Sequence, residues 1–325
     1  MSKKIINLLF LLPLIWFSCE KELNITDFKD DFGNYEPELK IEGILQQDNP
    51  QKSIIRIIRS SAITDIDVFD GKDNDGDGEI DEYDEVLPLI QDTSAIVKII
   101  NLQTNEEFEF EFVASADSFV HWTDEENYAE TNQSMVPYSG YKPKDENFSL
   151  NTCDRYKLEV YSKDFDQTIT GETSVCPPVV FMDTLHTFQE NFVLLNDPEG
   201  GEIFWKSVPE VTAYYVRYQE IIPVSEDDYE REYLFGFTSS RDNDLSEKYQ
   251  NYSIGRESIW GMFPGAILEF TVEALSPELG KYLFSSLPMN DPQRTNLRDE
   301  SGNPVLGFFG AAAAKTIYII VEGEE

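Results

Sequence analysis

Between Asp70 and Glu85 the chain reads DGKDNDGDGEIDEYDE, a run in which carboxylates recur at every second position from Asp73 to Asp81. Laid on the twelve-residue calcium-binding loop, Asp73, Asp75 and Asp77 take positions 1, 3 and 5, Gly78 takes the sharp turn at 6, and Glu79 offers its backbone carbonyl at 7. Ile80 then points inward, Asp81 stands at position 9 and Asp84 at position 12. Alternating carboxylates on a tightly turning loop bring their oxygens to one point, and the glycine permits the backbone angle this requires. Without a cation the arrangement is costly, because unit charges about 4 Å apart repel by roughly 4 kcal/mol at an effective dielectric of about 20. The expected cofactor is therefore Ca2+, with Asp73, Asp75, Asp77, Glu79, Asp81 and Asp84 as ligands and an affinity near the 10⁻⁴ to 10⁻³ M typical of extracellular modules, on the order of magnitude.

The same residues dominate the charge. The 325-residue chain holds 62 acidic against 25 basic residues, a formal net charge of −37, and from Asp65 to Asp92 there are 12 acids and one lysine. Such a chain repels phosphates, so nucleic acid and bare anionic lipid are excluded as partners. A hydrophobic content of 41% with 13% aromatics still supplies packed cores. A catalytic reading finds little: His121 and His186 are the two histidines, and there is no H-E-x-x-H pair, G-x-S-x-G elbow, phosphate-binding loop or dinucleotide fingerprint. No catalytic residue is assigned and the chain is read as non-enzymatic, an unrecognised hydrolase being the weakest of the alternatives.

Residues 1–18 are a segment to be removed before folding is considered. Lys3 and Lys4 precede the apolar stretch IINLLFLLPLIWF, too short for the roughly 20 residues that span a bilayer. It ends at Ser18-Cys19, followed at once by Glu20, Lys21 and Glu22. This resembles the lipobox of bacterial lipoproteins, with Trp16 where that motif usually has leucine, and it implies acylation of Cys19 with palmitate-class chains. Buried methylenes contribute about 0.8 kcal/mol each, so a multiply acylated cysteine holds a water-exposed body on a membrane. Residues 19–35 then read as a polar tether that reaches about 50 Å when extended.

Beyond the tether, short Ile-, Val-, Phe- and Tyr-rich runs alternate with Asn, Asp, Gly and Pro clusters, which predicts an all-β protein. Strands are expected at Leu39–Leu45, Ser53–Arg59, Ala95–Asn101, Glu107–Val113 and Leu268–Ala274, and a hairpin at Arg155–Ser162 and Gln167–Val175. A turn centred between Asp164 and Phe165 makes cross-strand partners sum to 329, which sets Cys153 opposite Cys176 and predicts a disulfide in an exported protein. Pro177-Pro178 marks a domain boundary. The expected layout is two β-sandwich domains, 36–178 carrying the acidic insertion at 65–92, and 179–325 carrying a short helix. Ser276-Pro277-Glu278 starts that helix, which presents Leu279, Leu283 and Leu287 on one face to Leu287. A closing strand is expected from Gly307 to Glu322, where the β-branched run after four alanines outweighs them.

The opening of the second half, GEIFWKSVPEVTAYYVRYQEI at 201–221, resembles the early strands of fibronectin type III domains, with Trp205 as the buried tryptophan and Tyr215, Arg217 or Tyr218 on the strand after it. Tyr229, Tyr233, Phe235, Phe237, Tyr249, Tyr252, Trp260 and Phe263 follow, as packing residues or as a binding face. The calcium loop resembles that of EF-hands, but Asp84 at its last position and the lack of flanking helices bring it nearer to dockerin loops.

Taken together, Ser18-Cys19-Glu20-Lys21-Glu22, Leu39-Lys40-Ile41-Glu42-Gly43, Tyr156-x-Leu-x-Val160 with Pro177-Pro178, Leu275-Ser276-Pro277-Glu278 to Leu287, and Gly302 to Gly310 (GNPVLGFFG) resemble a family of Bacteroidota lipoproteins known only as domain of unknown function 4249. The resemblance implies an outer-membrane lipoprotein, on the cell surface rather than the periplasmic face, that works as accessory or ligand-binding partner of a TonB-dependent receptor. It brings no catalytic residues, and the calcium loop is an insertion in it. The alternative reading is a calcium-dependent surface adhesion or structural module.

Overall fold

The computed structural model describes residues 37–60, 90–114, 139–182, 192–195, 200–211, 213–225, 228–239, 249–255, 267–288 and 291–321. They are mostly strand, so the chain is all-β. Eight strands stand side by side in a ring: β16 (Leu306–Val321), β1 (Leu39–Gln46), β2 (Ile54–Arg59), β5 (Gly140–Pro143), β4 (Glu107–Val113), β3 (Ile96–Asn101), β6 (Arg155–Ser162) and β7 (Gln167–Ser174). The ring closes where β7 returns beside β16, with Gly171 against the Cβ of Phe309, and the two-residue β15 (Arg298–Asp299) pairs antiparallel with β7 at Thr170 and Ile169.

Alternation along these strands sends Ile41, Ile55, Ile57, Val97, Ile99, Phe110, Tyr141, Tyr156, Leu158, Val160, Ile169 and Phe309 into one core. Each large aliphatic side chain buried there contributes about 1.5–3 kcal/mol, so the alternation in sequence is the main force that curls the sheet. Outward residues carry exposed ion pairs such as Lys98–Glu107 at 2.9 Å and Lys144–Glu109 at 3.0 Å, which solvent makes nearly neutral for stability.

Beyond the ring, β16 continues into a second set of strands. It pairs antiparallel with β14 (Ile267–Leu275), which pairs with β11 (Ala213–Ser225), which pairs with β12 (Asp228–Ser239). The end of β16 also takes β9 (Phe192–Leu195) in parallel. A three-stranded sheet of β13 (Tyr249–Gly255), β10 (Gly200–Lys206) and β8 (Val180–Phe181) shares a core with this set: Ile203 and Trp205 meet Tyr214, Val216, Phe270, Val272, Ile317 and Ile319.

One strand thus serves three cores. Odd-numbered Phe309 and Ala311 face the ring's interior and odd-numbered Ile317 and Ile319 the second core, while Phe308 and Ala312 face helix α1 (Pro277–Phe284) on the other side. The Gly-Ala run in β16 follows from that helix. A Cβ on Gly310 would sit 2.5 Å from Leu279 Cβ, so only a glycine lets the helix approach. Gly307 is bound more tightly still, with φ +99° and a hypothetical Cβ 1.8 Å from Ile41 O.

Helix α1 starts as its sequence dictates, with Ser276 Oγ accepting from Leu279 N at 3.3 Å and Pro277 at the first position. It ends at Phe284, short of Leu287, where Arg294 takes up its last carbonyls: Nε donates to Tyr282 O at 2.6 Å and Nη2 to Leu283 O at 3.4 Å, while Nη1 holds Leu287 O, beyond the helix, at 2.6 Å.

Trp205 is fully buried, as the fibronectin-like reading requires, but its neighbour across the core is Tyr214, 5.6 Å between ring centroids. Tyr215 lies on the opposite face against α1. Tyr229, Tyr233, Phe235 and Phe237 fall on β12 and Tyr249 and Tyr252 on β13. Trp260 and Phe263 lie outside the described residues.

Candidate functional site at one end of the ring

Strand directions decide which end of the ring matters. β1, β3, β5 and β16 begin at one end, and β2, β4 and β6 finish there. The start of β1, both flanks of the acidic excursion between β2 and β3, and both flanks of residues 115–138 between β4 and β5 therefore all lie at that end. The six ligands expected for Ca2+, Asp73 to Asp84, lie outside the described residues, as do Cys19, His121 and His186. What the structure supplies is the mount on which the acidic excursion stands.

Both legs of that mount are fixed. On the outgoing side, Glu38 N donates to Ser60 Oγ at 2.8 Å and Ser60 N donates to Glu38 O at 2.8 Å. The return leg is wedged into the sheet between β2 and β5: Gln91 bridges Ile58 antiparallel, Asp92 N donates to Ile57 O at 2.9 Å, and Gln91 Nε2 donates to Ser139 O at 3.3 Å.

Asp92 is the centre of the wedge. It is buried, and its carboxylate accepts from Ser94 N at 2.8 Å, Ser94 Oγ at 3.2 Å and Ser162 Oγ at 2.7 Å. Hydrogen bonds of this number offset the desolvation of a buried carboxylate. Its carbonyl accepts from the Tyr141 hydroxyl at 3.0 Å, and that hydroxyl accepts in turn from Ala95 N at 2.8 Å. Burial pushes the Tyr141 phenol up to about 12, with the negative charges of Asp92 and Asp164 adding to it and the Ala95 hydrogen bond opposing it. Tyr141 is thus a neutral donor at any physiological pH, a strut rather than an acid. Phe112 meets its ring edge-on at 5.6 Å.

No match to a known family is found for this chain. Neither a family model nor a curated protein matches it, so the likeness to the lipoprotein family rests on the short segments quoted above.

Among the described residues no group of three or more His, Cys, Asp and Glu is placed to hold a metal ion. Nor is any described helix long and apolar enough to cross a membrane.

The disulfide expected between Cys153 and Cys176 is not formed; both thiols are free, Cys153 exposed and Cys176 buried. The reason is one inserted residue. Cys153 N donates to Val175 O at 2.8 Å while Val175 N donates to Asp154 O at 3.0 Å, and Cys153 has φ +70°. Two residues oppose one, the first in the left-handed region, which is a G1 bulge. The bulge breaks the pairing just before Cys153 would meet Cys176. Burial, reinforced by Glu278 and Glu210, pushes the Cys176 thiol up to about 12 and leaves it unreactive.

The wedge residues Asp92, Tyr141 and Ser162 are the ones that reading the sequence missed. Asp92-Thr93-Ser94 carries a local signal, an Asp whose side chain bonds the backbone two residues on. Tyr141 and Ser162 carry none, since both are alternate inward residues of ordinary strands.

Proposed function

We propose that this chain is a non-enzymatic lipoprotein of the outer membrane, held by acyl chains on Cys19, that presents a calcium-stabilised acidic segment and acts as accessory or ligand-binding partner of an outer-membrane protein such as a TonB-dependent receptor. The observation that carries the reading is the common exit of the three segments at one end of the ring, combined with the wedge at Asp92. An excursion anchored at both legs keeps its flanks at fixed separation, so a cation that draws its carboxylates together does not have to order the stem as well. Glu20-Lys21-Glu22 directly after Cys19 supports export to the cell surface.

Two measurements test the two halves of this reading. Mass spectrometry of the mature N-terminus should find an acylated Cys19, and Cys19→Ala should release the protein from membranes; an unmodified, membrane-free chain would refute the anchor. Calorimetry of the full chain with calcium should give saturable heat that is lost in Asp73→Ala/Asp75→Ala. The absence of heat and of any thermal shift at millimolar calcium would refute the ion site.

A further inference from the structure

We infer that the parallel ladder between β1 and β16 is a force-bearing joint that transmits tension between the membrane anchor and whatever the second half of the chain grips. β1 opens at Leu39, a few residues past the stretch read as a tether, and runs away from that end. β16 runs beside it in the same direction over seven pairs, Lys40 with Leu306 through Gln46 with Ala312. It then leaves β1 behind and holds β14 over nine pairs and β9 over four.

The consequence is geometric. Tension on the start of β1, opposed by tension on the second half, pulls β1 and β16 in opposite senses along their common axis. Parallel ladder bonds are evenly spaced and slanted, so sliding loads all of them together. A hairpin pulled apart at its two open ends instead surrenders its bonds one at a time. The six pairs between β1 and β2 are loaded along the strand in the same way, because β2 is held in the ring on its far side.

Two hydrogen bonds and two side-chain contacts further resist the slide. Asp48 Oδ1 accepts from Ala314 N at 3.1 Å, and Gln47 N donates to Ala312 O at 2.9 Å, which fix the far end of β1 onto β16 after the last paired residue. At Gly43, Phe309 Cδ2 and Ile55 Cδ1 each lie 2.9 Å from where a Cβ would be, so side chains of both neighbours reach over β1 and must clear it before it moves.

The inference rests on the proposed anchoring at Cys19, and the test separates the two. Single-molecule force spectroscopy on the full mature chain would use peptide tags at its two ends, and for comparison a tag at the N-terminus with one inserted after Ser60. The second axis peels β1 from β2 from their shared open end. Forced unfolding reports the barrier along the chosen axis, so the end-to-end force should exceed the Ser60-axis force by about twofold or more. Asp48→Ala should lower the end-to-end force and leave the Ser60 axis unchanged. Equal forces on the two axes, or an equal loss on both in Asp48→Ala, would overturn the joint. An unacylated Cys19 alongside a twofold ratio would leave the joint standing and remove its anchor.

Discussion

The two flanks of β16 within the ring solve the same problem differently. On the β1 flank, seven backbone pairs run without interruption. On the β7 flank there is no ladder at all, and side chains stand in for one. Asn296 Nδ2 donates to Glu172 O and to Phe309 O, both at 2.7 Å, while its Oδ1 accepts from Phe309 N at 3.0 Å. Ser276 Oγ accepts from Ala311 N at 3.0 Å and lies 3.0 Å from Thr173 Oγ1, which also reaches Glu278 Oε2 at 3.0 Å. A backbone edge that cannot reach a strand still needs its polar groups satisfied, and two side chains from outside the ring do so. The lesson is that sheet closure needs hydrogen-bond accounting, not strand pairing as such.

That contrast can be broken from either side. Gly307→Ala should do most, because it places a Cβ against the backbone of Ile41 at a left-handed φ that alanine resists; a loss of more than about 3 kcal/mol in denaturant unfolding, or no folded protein, is expected. Asn296→Ala should come next at about 2–4 kcal/mol, since it orphans the amide and carbonyl of Phe309 together. Hydrogen exchange should show the added opening at Phe309 and Ala311 while amides of β1 opposite Ile57 stay protected. Ser276→Ala removes a helix cap and the partner of Ala311 N, for about 1–2 kcal/mol, and Ser276→Thr should restore most of it.

The smallest effect serves as the control, outside both flanks. Burial pushes the Glu273 carboxyl up from its ordinary range, against the lowering influence of Arg217 at 3.3 Å. A raised folded pKa means that the native state holds the proton more tightly, so the contribution is complete below the unfolded pKa and is lost as pH rises through the folded one. Glu273→Gln should therefore raise the thermal midpoint slightly at neutral pH and leave it unchanged at strongly acidic pH. The wild-type and variant melting curves against pH are the check.

Much of the local structure was legible before the fold. Glu107–Val113 alternates acid and apolar residues and is β4 to the residue, and the hairpin register sums to 329 in all eight pairs of β6 and β7. Ser276 and Pro277 open α1 where their chemistry says they must. The limits are equally physical. A G1 bulge at Cys153 uses a residue type with no preference for positive φ, so nothing in the sequence marks it. Parallel pairing of β1 with β16 has no turn between the strands to announce it, and its partners lie 266 residues apart. Asp92 could be read as a turn former but not as a wedge, because Tyr141 and Ser162 reach it only once the ring exists.

That separation of 266 residues also sets a clock. A chain made from its N-terminus at about 5–20 residues per second exposes β1 for roughly 13 to 50 s before the strand that covers it has been synthesised. During that interval Ile41 and Leu45 have no partner on one side, and the unpaired edge of β1 is a template for any passing strand. Long-range pairing of this kind also slows the final closure itself. The protein's greatest exposure to aggregation therefore falls before Leu306 has emerged, and chaperones that bind extended apolar segments should find their best substrate in chains stopped short of Leu306.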